Sequence, residues 1–82
     1  MKMLAGSRNI RFGDFLRVIE AFGFSFERMT GSHHIYSHSG MPQPIAVQPD
    51  KNNQAKVYQI RQFLRLAEKY ELTLLDDEED DS

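Results

Sequence analysis

Between Phe12 and Phe22 the apolar side chains fall at Phe12, Phe15, Leu16, Ile19 and Phe22. That spacing lines them up along one stripe of a helix, with Arg17 and Glu20 off the stripe. Gly23 follows the last apolar position and predicts a helix stop in left-handed backbone. The period then changes. Phe24-Ser25-Phe26-Glu27 alternates residue by residue, which predicts a strand with Phe24 and Phe26 toward the core. Thr30-Gly31-Ser32 is turn chemistry, with Gly31 the residue suited to positive φ. His33-His34-Ile35-Tyr36-Ser37 then reads as the second strand of an antiparallel hairpin. A second turn, His38-Ser39-Gly40-Met41-Pro42, leads to a third strand at Ile45-Ala46-Val47. Pro44 precedes that strand, where a missing backbone donor is tolerated. Pro49-Asp50-Lys51-Asn52-Asn53 is a loop in which Asn52 or Asn53 can cap the next helix. From Ala55 to about Tyr70 the apolar positions Val57, Ile60, Phe63, Leu64 and Ala67 return to helical spacing. Leu72, Leu74 and Leu75 extend it as a short docking segment.

The predicted order is α-β-β-β-α, an α+β fold. Two helices cover one face of a three-stranded antiparallel sheet and leave the other face for solvent or a partner. Double-stranded-RNA-binding domains use the same two-layer arrangement, although fold alone does not specify function. The reading divides the chain into a loosely ordered N-terminus over 1–10, a folded domain over 11–75 and a disordered acidic tail over 76–82.

Composition narrows the function. With 82 residues the chain forms one small domain, too small for a complete dinucleotide-binding fold. Cysteine is absent, which excludes disulfides, thiolate nucleophiles and cysteine-based metal sites. No apolar run approaches the roughly 18 residues of a membrane span, and the N-terminal residues lack the apolar stretch of a signal peptide. A cytoplasmic domain that does not engage a membrane is the expectation. The formal charge of −2 conceals a division. Residues 1–75 hold ten basic side chains against six acidic ones, a net +4, while Asp76 to Asp81 are six consecutive acids. Such a run repels itself and stays solvated. It serves either as a solubilising end or as a polyanion mimic that competes for a basic surface.

Every histidine lies in Gly31-Ser32-His33-His34-Ile35-Tyr36-Ser37-His38. In a strand, His33 and His34 point to opposite faces, and His34 and His38 are roughly 13 Å apart at ~3.3 Å per residue. Neither pair makes a metal site, and no cofactor is implied. Ser32 beside His33 lacks the strained elbow of a serine nucleophile. A single histidine acting as general acid–base remains, because an imidazole exchanges a proton near neutral pH. RNA supplies its own nucleophile, the 2′-hydroxyl, so one base can start cleavage without a metal. A glycine turn lets phosphate approach backbone N–H groups. The bland reading of the same histidines is polar strand positions. In the last helix Arg61, Arg65 and Lys69 recur every fourth residue, with Lys51 and Lys56 near its start. The row can track phosphates or form an ordinary solvated face.

The stretch Arg17-Val18-Ile19-Glu20-Ala21-Phe22-Gly23-Phe24, followed by Arg28-Met29-Thr30-Gly31-Ser32-His33-His34-Ile35-Tyr36, resembles the HicA (YcfA-like) toxin family. The likeness covers roughly Phe12 to Leu72. It rests on a first helix ending in Gly-Phe, a strand with arginine near its end, and a Gly-Ser-His-His-aromatic motif. The resemblance implies an α-β-β-β-α double-stranded-RNA-binding-like fold and a small endoribonuclease that cuts mRNA and is neutralised by a HicB antitoxin. It implies His33 as catalytic base, with His34 as second choice. In it Gly31 matches the glycine that shapes the turn, and Lys51 loosely matches a basic loop. Taken with the charge pattern, the RNA-binding residues expected are Gly31, Ser32 and Arg28 at the turn, with Lys51, Lys56, Arg61 or Arg65 holding the strand. The chain departs from the family pattern at Val47-Gln48-Pro49, at Ala55-Lys56-Val57-Tyr58 and in its acidic tail. The other readings are a non-catalytic RNA-binding module and a protein-interaction domain that docks a HicB-like antitoxin.

Overall fold

The computed structural model describes residues 9–75. The acidic tail from Asp76 and residues 1–8 lie outside them. The elements are α1 (Phe12–Ala21), β1 (Ser25–Thr30), β2 (His33–Ser37), β3 (Ile45–Val47) and α2 (Val57–Lys69). The strands form one antiparallel sheet in the order β1-β2-β3, so β2 is central. This is the predicted α+β, double-stranded-RNA-binding-like order.

α1 buries Phe12, Phe15, Val18 and Ile19, with Leu16 and Phe22 packed at the margin. Its C-terminus is a Schellman motif, in which the Gly23 N–H donates to the Glu20 carbonyl and the Phe24 N–H to that of Ile19. Gly23 carries φ +96°, and a Cβ there would sit 3.1 Å from the Nε2 of His38. Conformation therefore requires glycine, and a side chain there would also crowd the His38 ring.

α2 buries Ile60, Phe63 and Ala67 as its spacing predicts, but the stripe is narrower than expected. Val57 and Leu64 are exposed, and Gln59 is buried in their place. The Phe63 ring organises the core, with its centroid 6.0 Å from Phe15, 5.3 Å from Phe22 and 5.5 Å from Phe24. Offset and edge-on contacts of this kind add to the area the rings bury.

Phe24 is buried as expected, and Phe26, paired with Tyr36, lies on the helix-facing side as expected but is not buried there. Phe24 precedes β1, and Phe26 is 51% exposed. β1 is an edge strand, and all six of its residues are exposed. A bulge between Phe26 and Arg28 also breaks the simple alternation.

Neither Asn52 nor Asn53 caps α2. The flanking residue is Lys56, which makes no side-chain cap. The loop before it is shaped by Asp50, whose Oδ1 accepts the N–H groups of Asn52 and Gln54. Asn53 adopts φ +62° and turns its carbonyl to the Phe12 N–H, so it supports the start of α1 instead. Ala55 donates to the Ile10 carbonyl at 2.8 Å, and Ile10 is buried. Ile10 therefore packs in the core cluster, joined to the loop before α2.

Tyr36 is buried and donates its hydroxyl to Glu20 Oε2 at 3.0 Å. Burial, followed by the hydrogen bond and the charge of Glu20, pushes the phenol up to about 12 from its usual 10. Between those values the unfolded chain holds fewer protons than the folded one. Stability therefore falls as pH rises from about 10 to about 12, by on the order of 2 kcal/mol. Urea midpoints measured at pH 9 and 11.5 should show this drop in the wild type and a shallower one in Tyr36→Phe. Equal drops in the two proteins count against it.

A second prediction concerns the end of α2. The Glu71 N–H bonds to the Glu68 carbonyl and the Leu72 N–H to that of Ala67, a second Schellman motif. Here the left-handed position, φ +56°, is filled by a glutamate. Glu71→Gly should stabilise the fold by about 1 kcal/mol by removing that strain. Thermal melting checks it, and an unchanged or lowered midpoint contradicts it.

Candidate functional site

The hairpin between β1 and β2 closes through Gly31 and Ser32, with Thr30 paired to His33. Gly31 has φ +62°, and Ser32 is not left-handed, the φ pattern of a type II′ turn, in which glycine takes the first central position. A Cβ on Gly31 would meet nothing within 4 Å, so backbone conformation alone selects glycine here.

β2 then separates its two adjacent histidines. His34 pairs with Val47, which lies in the core, so His34 and Tyr36 face the helices. The His34 ring packs edge-on against Phe12 at 5.0 Å and lies 6.3 Å from Phe26. Its Nδ1 is buried and has no hydrogen-bond partner among the described residues. His33, one residue earlier, belongs to the opposite, uncovered face and is exposed. Ile35 shares that face. It is 9% exposed, lies between Arg28 and Ala46 in the sheet and does not belong to the main core cluster. His33 is thus an accessible imidazole at the first position of the central strand.

The third histidine has a packing role. His38 accepts the Gly40 N–H on Nδ1 at 2.7 Å, and its ring lies 4.9 Å from that of Phe24. Accepting on Nδ1 places the proton of the neutral ring on Nε2.

The turn is tied to the neighbouring strand end. Ser32 Oγ donates to Gln48 Oε1 at 2.9 Å, and the Gln48 N–H donates to Gln59 Oε1 at 3.2 Å. Sequence reasoning noted Gln48 only as a departure from a family pattern and did not single out Gln59. Strand register could have found Gln48, because the β2–β3 pairing, carried one step beyond Val47, would set it opposite His33.

The basic residues divide between two surfaces. Arg28 pairs with Ile35 and so shares the face of His33, while its guanidinium also bonds Glu27 at 3.1 Å. Exposed Lys51 and half-buried Lys56 lie in the segment that leaves β3 just after Gln48, at the His33 end of the sheet. Arg61 and Arg65 are exposed on α2, in the layer behind the sheet. The fold gathers Gly31, Ser32, His33 and Arg28 on one hairpin. It does not bring Arg61 and Arg65 to the face that carries His33.

Among the described residues no three His, Asp or Glu side chains cluster to hold a metal ion. No helix there is long and apolar enough to cross a membrane. No curated protein and no solved structure matches the chain. A family model does, described as the HicA toxin of bacterial toxin–antitoxin systems, over residues 12–68. That match runs from the first residue of α1 almost to the end of α2 and includes the Gly-Ser-His-His hairpin, so the chain belongs to the HicA toxin family.

Proposed function

We propose that this toxin is a metal-independent endoribonuclease that cleaves mRNA in the cytoplasm with His33 as its general base. The observation that carries the reading is the exposure of His33 on the uncovered sheet face, next to a glycine turn, while His34 is packed under α1. An accessible imidazole can take the proton of a ribose 2′-hydroxyl. The 2′-oxygen then bonds to phosphorus, the bond from phosphorus to the 5′-oxygen breaks, and the leaving oxygen takes a proton from water. The products are a 2′,3′-cyclic phosphate and a 5′-hydroxyl end. The backbone at Gly31 and Ser32 contacts the phosphate, Arg28 offsets its charge from the same face, and Lys51 and Lys56 grip the strand at that end of the sheet. Arg61 and Arg65 hold a more distant part of the chain along α2. His34 supports the hairpin through its ring contacts.

A toxin of a toxin–antitoxin system has an antitoxin, here a HicB-like protein. The uncovered face around His33 is the surface such a partner has to block if it is to silence cleavage.

The test is incubation of a long mRNA with the wild type, His33→Ala and His34→Ala at neutral pH. His33→Ala should lose at least about 100-fold in cleavage rate while still binding RNA. Wild-type cleavage should persist in EDTA. Undiminished cleavage by His33→Ala removes the base, and loss in EDTA with restoration by a divalent ion removes the metal-free mechanism. Salt-dependent binding with no cleavage by any of the three identifies a binding module instead.

A further inference from the structure

Gln48 follows the last residue of β3 and bonds the turn that precedes His33. β2 and β3 pair as His34 with Val47, Ile35 with Ala46 and Tyr36 with Ile45. The same alternation carried one residue beyond the His34–Val47 pair would set Gln48 opposite His33, on the face that the helices do not cover. Gln48 is half-buried and doubly anchored. Its backbone N–H is held by Gln59, which sits in the first turn of α2 and is itself buried. Its side-chain oxygen accepts the Ser32 hydroxyl at 2.9 Å.

A carboxamide has an oxygen acceptor and an NH₂ with two donors. Ser32 occupies the oxygen. The Nε2 donors have no partner among the described residues. With the Ser32 hydroxyl on its oxygen, the amide keeps its donor end without a partner among the described residues, beside the turn that precedes His33.

We propose that Gln48 is a phosphate-contacting residue whose Nε2–H donates to a non-bridging oxygen of the phosphodiester beside His33. This rests on the nuclease reading above. As the 2′-oxygen bonds to phosphorus and the 5′-oxygen leaves, negative charge builds on the non-bridging oxygens. A neutral donor already held in place stabilises that charge without reorganising during the step. Arg28, engaged with Glu27, supplies charge from the β1 side, and Gln48 supplies a directed hydrogen bond from the β3 side.

Two variants separate this role from support of the turn. Gln48→Glu keeps the chain length and an oxygen for Ser32 but loses the NH₂. Gln48→Leu removes both polar ends. Single-turnover cleavage of a defined RNA by the full chain should fall roughly 100-fold in both, as when one preorganised oxyanion donor is removed. Melting temperature and circular dichroism should stay near wild type in Gln48→Glu, and a 2′-deoxy version of the same oligonucleotide should bind it more weakly. His33→Ala is measured alongside. If both Gln48 variants cleave within threefold of wild type while His33→Ala is inactive, the Gln48 role is overturned and the nuclease reading stands. If Gln48→Leu alone loses activity, Gln48 merely supports the turn and the donor role is overturned. If the Gln48 variants lose activity while His33→Ala keeps it, the donor is supported and the base is overturned. A wild type that does not cleave overturns both.

Discussion

β2 is the middle strand of a sheet covered on one side only, and its strict alternation governs the rest of the molecule. Residues at even positions, His34 and Tyr36, turn toward the helices, where Phe12 and Glu20 meet them. Residues at odd positions, His33 and Ile35, turn to the uncovered face. A shift of one residue would exchange the two sets, sending Ile35 into the core and the exposed imidazole beneath α1. The alternation therefore gives two chemically identical neighbours different roles: one ring packs against aromatic side chains, and the other stays accessible.

The hairpin tip would be a loose end if β1 and β2 alone held it. Two-stranded ribbons are marginal by themselves. Here Ser32 reaches Gln48, and Gln48 reaches Gln59 in α2. The loop after β3 is folded around Asp50 and turns back to support the start of α1 through Asn53 and Ala55. Turn, strand end, loop and both helix starts thus form one connected structure at the His33 end of the sheet. For the nuclease proposed above, such a frame would hold the donors in place before substrate arrives.

Much of this was legible in the chain. Phe12, Phe15 and Ile19 announce one helix and Ile60, Phe63 and Ala67 the other, because burial on one side imposes a 3.6-residue period. Gly23 and Gly31 mark left-handed positions that few other residues adopt cheaply. The motif around His33 was visible as a string and is matched by the family model. Other features were hidden for identifiable reasons. Phe26 looks like a core residue, but it lies on an edge strand beside a bulge. Val57 and Leu64 have the right spacing yet remain exposed, because a sheet this narrow covers only part of a helix face.

Local sequence determined the elements, their order and the turns, since periodicity and backbone preference act over a few residues. It also placed His33 and His34 on opposite faces, because alternation is a property of any strand. Which face the helices would cover was decided only by tertiary packing, as was the arrival of Gln48 beside a serine sixteen positions earlier. Packing likewise sent Arg61 and Arg65 to the layer away from the imidazole. Such outcomes depend on how separate elements share one core, and no stretch of chain carries that information by itself.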